Sequence, residues 1–510
     1  MSDSNLSSIA YVAETVWGTT PAPAAFKLMR LTGEAMSHSK DTVVSEEVRS
    51  DRQISDMPEV GSQADGSINF ELSYTAFQPF LEAAMFNDIT AISETGAWAF
   101  TTGVQAAETL TVSGLAIADE TVTIGTTVYT WKAAPAAAYE VDIGVDAETC
   151  IDNLVAAVNE SPAASEGTIF GTGTVVHSSV TAAKATASTM TATAKSEGVG
   201  GNAIASTETG TNMAWGGVLL SGGVEPILTG SATDFDNIPI GATIRIADAA
   251  TAGNDGIKLV VAKNGDGSVI TFARGSLVAD DAGDTVTLTG NHLPNGITRK
   301  QFTLERAIKN SVNNDYFQVY QGMMVDGMTL NFESKAIVTG TFTFMGKLGV
   351  DGDTTTADTS GAYTAADAGD VLNATSHVQT VLIDEEVSAE RFKTLNIQVA
   401  NNLRGKDAIG ESGNFDVGVG SFAVTGTLNA YFQNRDFHQK FIAHSDVNVS
   451  FQTTDPDGNT LVVTIPRMKL GTGTPQIEGK DTDVMINSAI TAILHTTYGF
   501  TMALDFHPAV

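Results

Sequence analysis

Short runs of alternating apolar and polar residues dominate the chain and predict strands rather than long helices. Gly66-Ser67-Ile68-Asn69-Phe70-Glu71-Leu72 alternates with period two, as does the hairpin pattern Val122-Thr123-Ile124-Gly125-Thr126-Thr127-Val128-Tyr129. Thr243-Ile244-Arg245-Ile246, Lys258-Leu259-Val260-Val261, Val269-Ile270-Thr271-Phe272 and Val286-Thr287-Leu288 are short strands separated by Asp/Gly turns. Longer strands are expected over 301–306, 316–320, 328–332 and 338–344, and an apolar stretch over 26–36 resembles another. Helical spacing is confined to a few places. Phe77, Phe80, Leu81 and Ala84 recur on one face, with Pro79 near the helix start. Ile151, Leu154, Val155 and Val158 do the same behind Asp146 as cap.

Where that pattern changes, domains are expected. Residues 1–24 are small and polar, end in Pro21-Ala22-Pro23, and read as an arm. A first domain is expected over 25–103 and 226–350, split by a small α+β module over 104–225. That module holds three basic residues (Lys132, Lys184, Lys195) against thirteen acidic ones. Residues 351–377, rich in Asp, Thr, Ala and Gly, read as a linker or mobile loop, and a second strand-rich domain runs over 378–510. At 510 residues the chain is too long for one ordinary core.

The two host domains repeat each other. Gly66-Ser67-Ile68-Asn69 is followed by Phe77, and Gly426-Thr427-Leu428-Asn429 by Phe437, each eleven positions after its glycine. In both places a strand leads into a short helix, the second marked by Phe437, Phe441 and Ile442, and a long polar loop precedes it, 40–62 and 401–420. Val-Thr-Gly-Thr also occurs at 338–341 and 424–427, but out of that register, and reflects strand composition alone. If a single such domain closes a six-membered ring, a tandem chain closes the same ring with three copies, so a trimer is favoured over a hexamer.

Composition then narrows the function. Apolar residues make up 42% of the chain, enough for packed cores, and Gly is abundant at 49. The net charge of −32, from 59 acidic and 27 basic residues, repels polyanions and anionic membranes, arguing against a nucleic-acid binder and against membrane anchoring. The single Cys150 permits no intrachain disulfide. The first residues lack the basic and apolar regions of a signal peptide, and no apolar run approaches the about 18 residues of a membrane helix.

Candidate chemistry is sparse. His38, His177, His292, His377, His438, His444, His495 and His507 are scattered without metal-ligand spacing and read as surface or satisfied core residues. Cys150 reads as a buried structural thiol. Gly198-Val199-Gly200-Gly201 and Gly471-Thr472-Gly473-Thr474 do not continue into a phosphate loop. Asp455-Pro456-Asp457-Gly458-Asn459 lacks the further ligands of a calcium loop and reads as a hairpin turn. No cofactor, metal or catalytic residue is expected, and an enzyme is disfavoured.

Several segments resemble the tail tube (major tail) proteins of phages with long non-contractile tails. The likeness lies in Phe302-Thr303-Leu304-Glu305-Arg306, Tyr320-Gln321-Gly322-Met323 and Ile337-Val338-Thr339-Gly340-Thr341-Phe342-Thr343-Phe344-Met345-Gly346-Lys347. In the second domain it lies in Asn401-Asn402-Leu403-Arg404, Ala408-Ile409-Gly410, Val424-Thr425-Gly426-Thr427-Leu428 and Tyr431-Phe432. The resemblance implies a mainly β protein: two tandem β-sandwich or half-barrel domains, each with a short flanking helix. It also implies stacked rings forming a virion tail tube, assembled in the bacterial host cytoplasm, with tip, tape-measure and terminator proteins as further partners. Genome DNA would pass through an acidic-lined bore without specific binding. Ring-to-ring contacts are expected in the two long loops, at Glu46, Glu47, Arg49, Arg52, Arg404, Lys406 and Asp407. The alternatives are a baseplate or Hcp-like ring protein and a surface adhesin of immunoglobulin-like modules. The 104–225 module resembles accessory modules of phage structural proteins and is expected to project outward.

Overall fold

A computed structural model describes residues 2–162, 165–273, 277–278, 280, 285–310, 315–383, 386–387, 391–433, 436–477, 479–480 and 482–509. The chain divides into two compact units, one of residues 1–92 with 290–510, the other of residues 93–289.

The first unit contains the tandem domains. Its first half has strands β1 (Ser2–Ala13), β2 (Gly33–Glu34), β3 (Ser37–Thr42), β4 (Glu59–Glu71), β5 (Phe302–Asn310), β6 (Tyr316–Glu333), β7 (Thr339–Met345) and β8 (Leu348–Asp353). Its second half has β9 (Val378–Ile383), β10 (Phe392–Ala400), β11 (Arg404–Lys406), β12 (Asp416–Gly418), β13 (Ala423–Tyr431), β14 (Val447–Thr454), β15 (Thr460–Leu470), β16 (Pro475–Gln476), β17 (Met485–Ala492) and β18 (Ala503–His507). A helix follows β4 (Gln78–Met85) and another follows β13 (Asp436–Ile442), where the repeat places them.

The halves are equivalent strand by strand. Between β5 and β6, Phe302 pairs with Met323 and Leu304 with Tyr320, a one-residue slip marking a bulge. Between β14 and β15, Val447 pairs with Met468 and Val449 with Ile465, the same slip 145 positions on (447 against 302, 465 against 320). A second bulge lies between Val325 and Gly327 on β6 facing β7, and it recurs between Leu470 and Pro475 facing β17. β10 therefore corresponds to β2 and β3, β13 to β4, β17 to β7, and β16 to the last third of β6.

The repeated glycine has a steric cause. A Cβ on Gly66 would lie 2.6 Å from the Ala35 carbonyl oxygen, and one on Gly426 only 2.1 Å from that of Asn396. Ala35 and Asn396 are counterparts on the neighbouring strands, so the same backbone approach excludes a side chain twice.

β6 is long enough to belong to two neighbours. Its last third pairs with β7 on one side and, from Gly327↔Ala400 to Glu333↔Thr394, with β10 on the other. That pairing is the seam between the halves. It makes one sheet, in the order β3-β4-β7-β6-β10-β13-β17-β16. Beneath it Phe70, Phe77, Phe80, Phe302 and Phe342 pack together, Phe70 and Phe342 stacked at 4.5 Å. The helix Gln78–Met85, with Pro in its first turn, seals this core with Phe80, Leu81 and Ala84.

Two expectations from composition are corrected. The arm over 1–24 is a strand for its first half: β1 pairs with β5, and Ile9 and Tyr11 enter the core. Small flanking serines conceal that alternation. The linker over 351–377 is a packed strap. The Asp358 carboxylate accepts from Phe26 N (3.1 Å), and Leu372 exchanges backbone hydrogen bonds with Leu72 and Val338. Asp and Thr side chains there satisfy backbone groups instead of solvating a flexible chain. The apolar stretch over 26–36 is also broken, into Lys27–Leu28 and β2.

The second unit has a core over residues 106–220, in which Leu110, Tyr129, Trp131, Leu154 and Met190 are buried. Thr121–Ile124 and Thr127–Lys132 form the expected hairpin, with Gly125 at φ 59 in its turn. The helix Ala147–Asn159 is capped by Asp146, whose carboxylate accepts from Thr149 N (2.8 Å), and Ile151, Leu154 and Val158 are buried. Further strands follow at Ile227–Thr229, Thr243–Ala247, Gly256–Lys263, Val269–Phe272 and Thr285–Pro294.

Candidate assembly surfaces

Three surfaces of the first unit stand out by their exposed side chains. The first is a hairpin. Backbone hydrogen bonds from Val43 N to Pro58 O and Ser45 N to Asp56 O extend the β3-β4 ladder outward to a tip where Arg52 takes φ 59. Glu46, Glu47, Arg49 and Arg52 are all exposed there. Arg49 forms a two-pronged pair with Asp51 (3.0 and 2.7 Å), while Glu46, Glu47 and Arg52 make no ion pair among the described residues. The charge pattern missed a second feature: Val43, Val44, Val48, Ile54 and Met57 are exposed too, Val48 completely. Apolar side chains gathered in this way on an exposed arm make it a candidate contact surface.

The second surface is the ribbon of β11 and β12. Arg404, Lys406 and Asp407 are exposed on it, and Ile409 at its tip is fully exposed. Asp416 receives Lys406 Nζ (2.5 Å) and Arg299 Nη1 (3.2 Å). The Lys406 ammonium, foremost, holds the Asp416 carboxyl below the usual carboxylate range. The ribbon is rooted on the hairpin: Ser62 donates from its backbone N (2.5 Å) and its hydroxyl (3.2 Å) to Ser412 O. Asn414 Nδ2 donates to Gly346 O (2.9 Å). The two loops, distant in sequence, thus sit side by side.

The third surface is the open face of the long sheet. Pairing aligns Asn69, Thr341, Thr329, Gln398, Thr425 and Thr491 in one row across six strands. The next row is Glu71, Thr339, Asn331, Asn396, Thr427 and Ala489. Thr341 Oγ1 donates to Asn69 Oδ1 (2.8 Å), and Asn396 Nδ2 to Asn331 Oδ1. These rows contain one carboxylate and no cation. Lys469, beside Thr491 at the rim, is paired with Asp446 (2.7 Å). The strong overall acidity is therefore not concentrated here.

Buried polar groups look structural. His292 Nδ1 lies 2.5 Å from Asp505 Oδ1, both closed off from solvent. His177 Nε2 lies 3.0 Å from Ile124 O, while its Nδ1 accepts from Val180 N (3.1 Å). The Cys150 thiol donates to Ile143 O (2.7 Å), and burial pushes its pKa up. Asp455 closes the 454–460 hairpin by accepting from Asn459 N (2.8 Å). Among the described residues no group of three His, Cys, Asp or Glu side chains is placed to hold a metal.

A family model described as phage tail tube protein matches residues 4–252 and, a second time, residues 246–502. No curated protein matches the chain.

Proposed function

The chain belongs to the phage tail tube protein family, and we propose that three copies close a ring and that stacked rings form the conduit through which a phage genome leaves its capsid. The observation that carries this reading is the single sheet joining both tandem domains through the β6-β10 seam. Eight strands from each of three copies make a barrel of twenty-four. With strands about 4.8 Å apart and tilted about 40°, its wall is about 48 Å across. A double helix fits inside such a bore.

On this reading the Thr/Asn/Gln face lines the bore. DNA presents one charge per about 1.7 Å of axis, and each cation that neutralises a phosphate releases a counterion and adds affinity. Neutral amides and hydroxyls, among them the bonded pairs Thr341–Asn69 and Asn396–Asn331, offer no cation. The genome slides because the wall gives it little to hold, with sparse carboxylates such as Glu71 adding mild repulsion. The expected acidic lining thus becomes a neutral polar one.

The hairpin with Glu46, Glu47, Arg49 and Arg52, and the ribbon with Arg404, Lys406 and Asp407, are assigned to contacts between rings. Tip, tape-measure and terminator proteins complete the tail, and the chain's role is structural and not catalytic. Negative-stain microscopy of the purified chain, with and without a tail-tip nucleus, tests this. Rings or tubes are expected; a chain that stays monomeric even with the nucleus overturns the reading.

A further inference from the structure

The two halves differ at one equivalent site. Where β5 and β6 slip at their bulge, Thr303 faces both Gln321 and Gly322; at the matching slip in the second half, Asn448 faces Pro466 and Arg467. In the first half the chain covers this site with its own residues 14–20. The Glu14 carboxylate, 7% exposed, accepts from Gly322 N (2.8 Å) and Thr303 Oγ1 (2.7 Å). Trp17 Nε1 donates to Gly322 O (3.0 Å), and Gln321 Nε2 donates to Thr20 Oγ1 (3.0 Å).

Among the described residues the second half has no such cover. β9 corresponds to β1, since Ile383 pairs with Val449 as Tyr11 pairs with Leu304. After β1 the chain crosses the bulge before it returns at Lys27. After β9 it turns back at once, Ile383 pairing with Glu386. The site covered in the first half is an open cleft of about 410 Å³ in the second, lined by Asp446, Asn448, Pro466, Arg467, His495 and Thr496.

We propose that this cleft docks an extended segment of a partner polypeptide through a Glu or Asp side chain. The filled site of the first half shows what the position takes, and the substitutions in the second keep its liking for an anion. Arg467 stands in place of Gly322 and Asn448 in place of Thr303. A guanidinium and an amide thus replace the backbone N–H and the hydroxyl that hold Glu14. The aromatic part of the contact is lost. A Cβ on Gly322 would lie 2.9 Å from Trp17 Nε1, so Arg467 takes the space of an indole, and the docked segment brings a carboxylate without that ring.

Charge agrees with this. Arg467 Nε and Lys469 Nζ both donate to Asp446 (2.8 and 2.7 Å), two cations on one carboxylate. Among the described residues neither cation pairs with a second carboxylate, so the cleft keeps a positive charge in a chain of net charge −32. Anionic segments are drawn to it while the rest of the surface repels them. The site is complete within one chain, so the inference goes beyond the ring-forming reading and stands without it.

The test is fluorescence anisotropy of a labelled peptide with the sequence of residues 12–20 and Trp17→Ala, titrated with the full chain. Binding that weakens with added salt is expected. The same peptide with Glu14→Gln should bind about tenfold more weakly, and so should the parent peptide to an Arg467→Ala chain. Asp446→Asn removes the cleft's own carboxylate and should tighten binding several-fold, a gain that no loss of folding produces. A peptide that does not bind the parent chain, or a Gln peptide that binds equally well, overturns the proposal. So does an Arg467→Ala chain that binds as the parent does. If Arg467→Ala melts below the parent, the comparison with Asp446→Asn decides, and unchanged or weaker binding there overturns the proposal.

Discussion

Phe332 and Phe451 meet edge to face, 4.7 Å between ring centroids, across the seam that joins the two tandem domains. The contact ties the last third of one strand to the core of the following domain, so folding of the halves and continuity of the sheet depend on the same ring. Truncating a buried Phe costs about 3–5 kcal/mol through lost transfer energy and the cavity left behind. Phe332→Ala should therefore lower the unfolding free energy of the first unit by an amount in that range, obtained from denaturant titration followed by intrinsic fluorescence. A loss below about 1 kcal/mol would mean the seam is not a packed interface.

Deleting residues 43–57 removes the hairpin beyond its last ladder pair, Thr42↔Glu59, and takes away exposed rather than core side chains. The protein should keep its circular dichroism and melting temperature within a few degrees, yet fail to form tubes. Normal tubes from the deletion would remove the hairpin from the assembly.

The ribbon should respond to acid. Asp416 has its pKa lowered from 3.8, first by Lys406, with Arg299 a lesser contributor. A lowered carboxylate contributes stability that is present above pH 3.8 and lost as pH falls through the folded-state value. Carboxyl NMR should place Asp416 below 3.8, and Lys406→Met should move it upward. An unchanged titration in that variant would refute the pairing.

Cations on the open face should turn the proposed lining into a DNA-binding wall. Thr329→Arg with Gln398→Arg puts two guanidiniums in adjacent positions of the central row. Assembled tubes of this variant should retain duplex DNA, with affinity falling by a log–log salt slope of about 0.9 per phosphate engaged. Tubes that bind no more DNA than the parent would place this face away from the bore.

Much of this was legible in the sequence, and for physical reasons. Period-two alternation revealed most strands, Pro79 and Asp146 marked two helix starts, and Gly66 with Gly426 betrayed the duplication because neither site has room for a Cβ. What composition concealed was order in small polar segments. The Ser-rich start is a core strand, and the Asp/Thr-rich strap is held by side-chain to backbone hydrogen bonds. The seam was invisible because β6 reads as two ordinary strands, and which neighbour takes its last third depends on residues some 70 positions away. The open face escaped notice for a related reason. Its Thr and Asn rows assemble across strands from both halves, so no single stretch displays them.

Cryo-electron microscopy of tubes grown from the purified chain tests the central claim most directly, by counting chains per ring. Three chains of 53.1 kDa, each giving eight strands to a continuous wall of twenty-four, is the predicted result. Six chains per ring, or a wall interrupted between neighbouring copies, would contradict it.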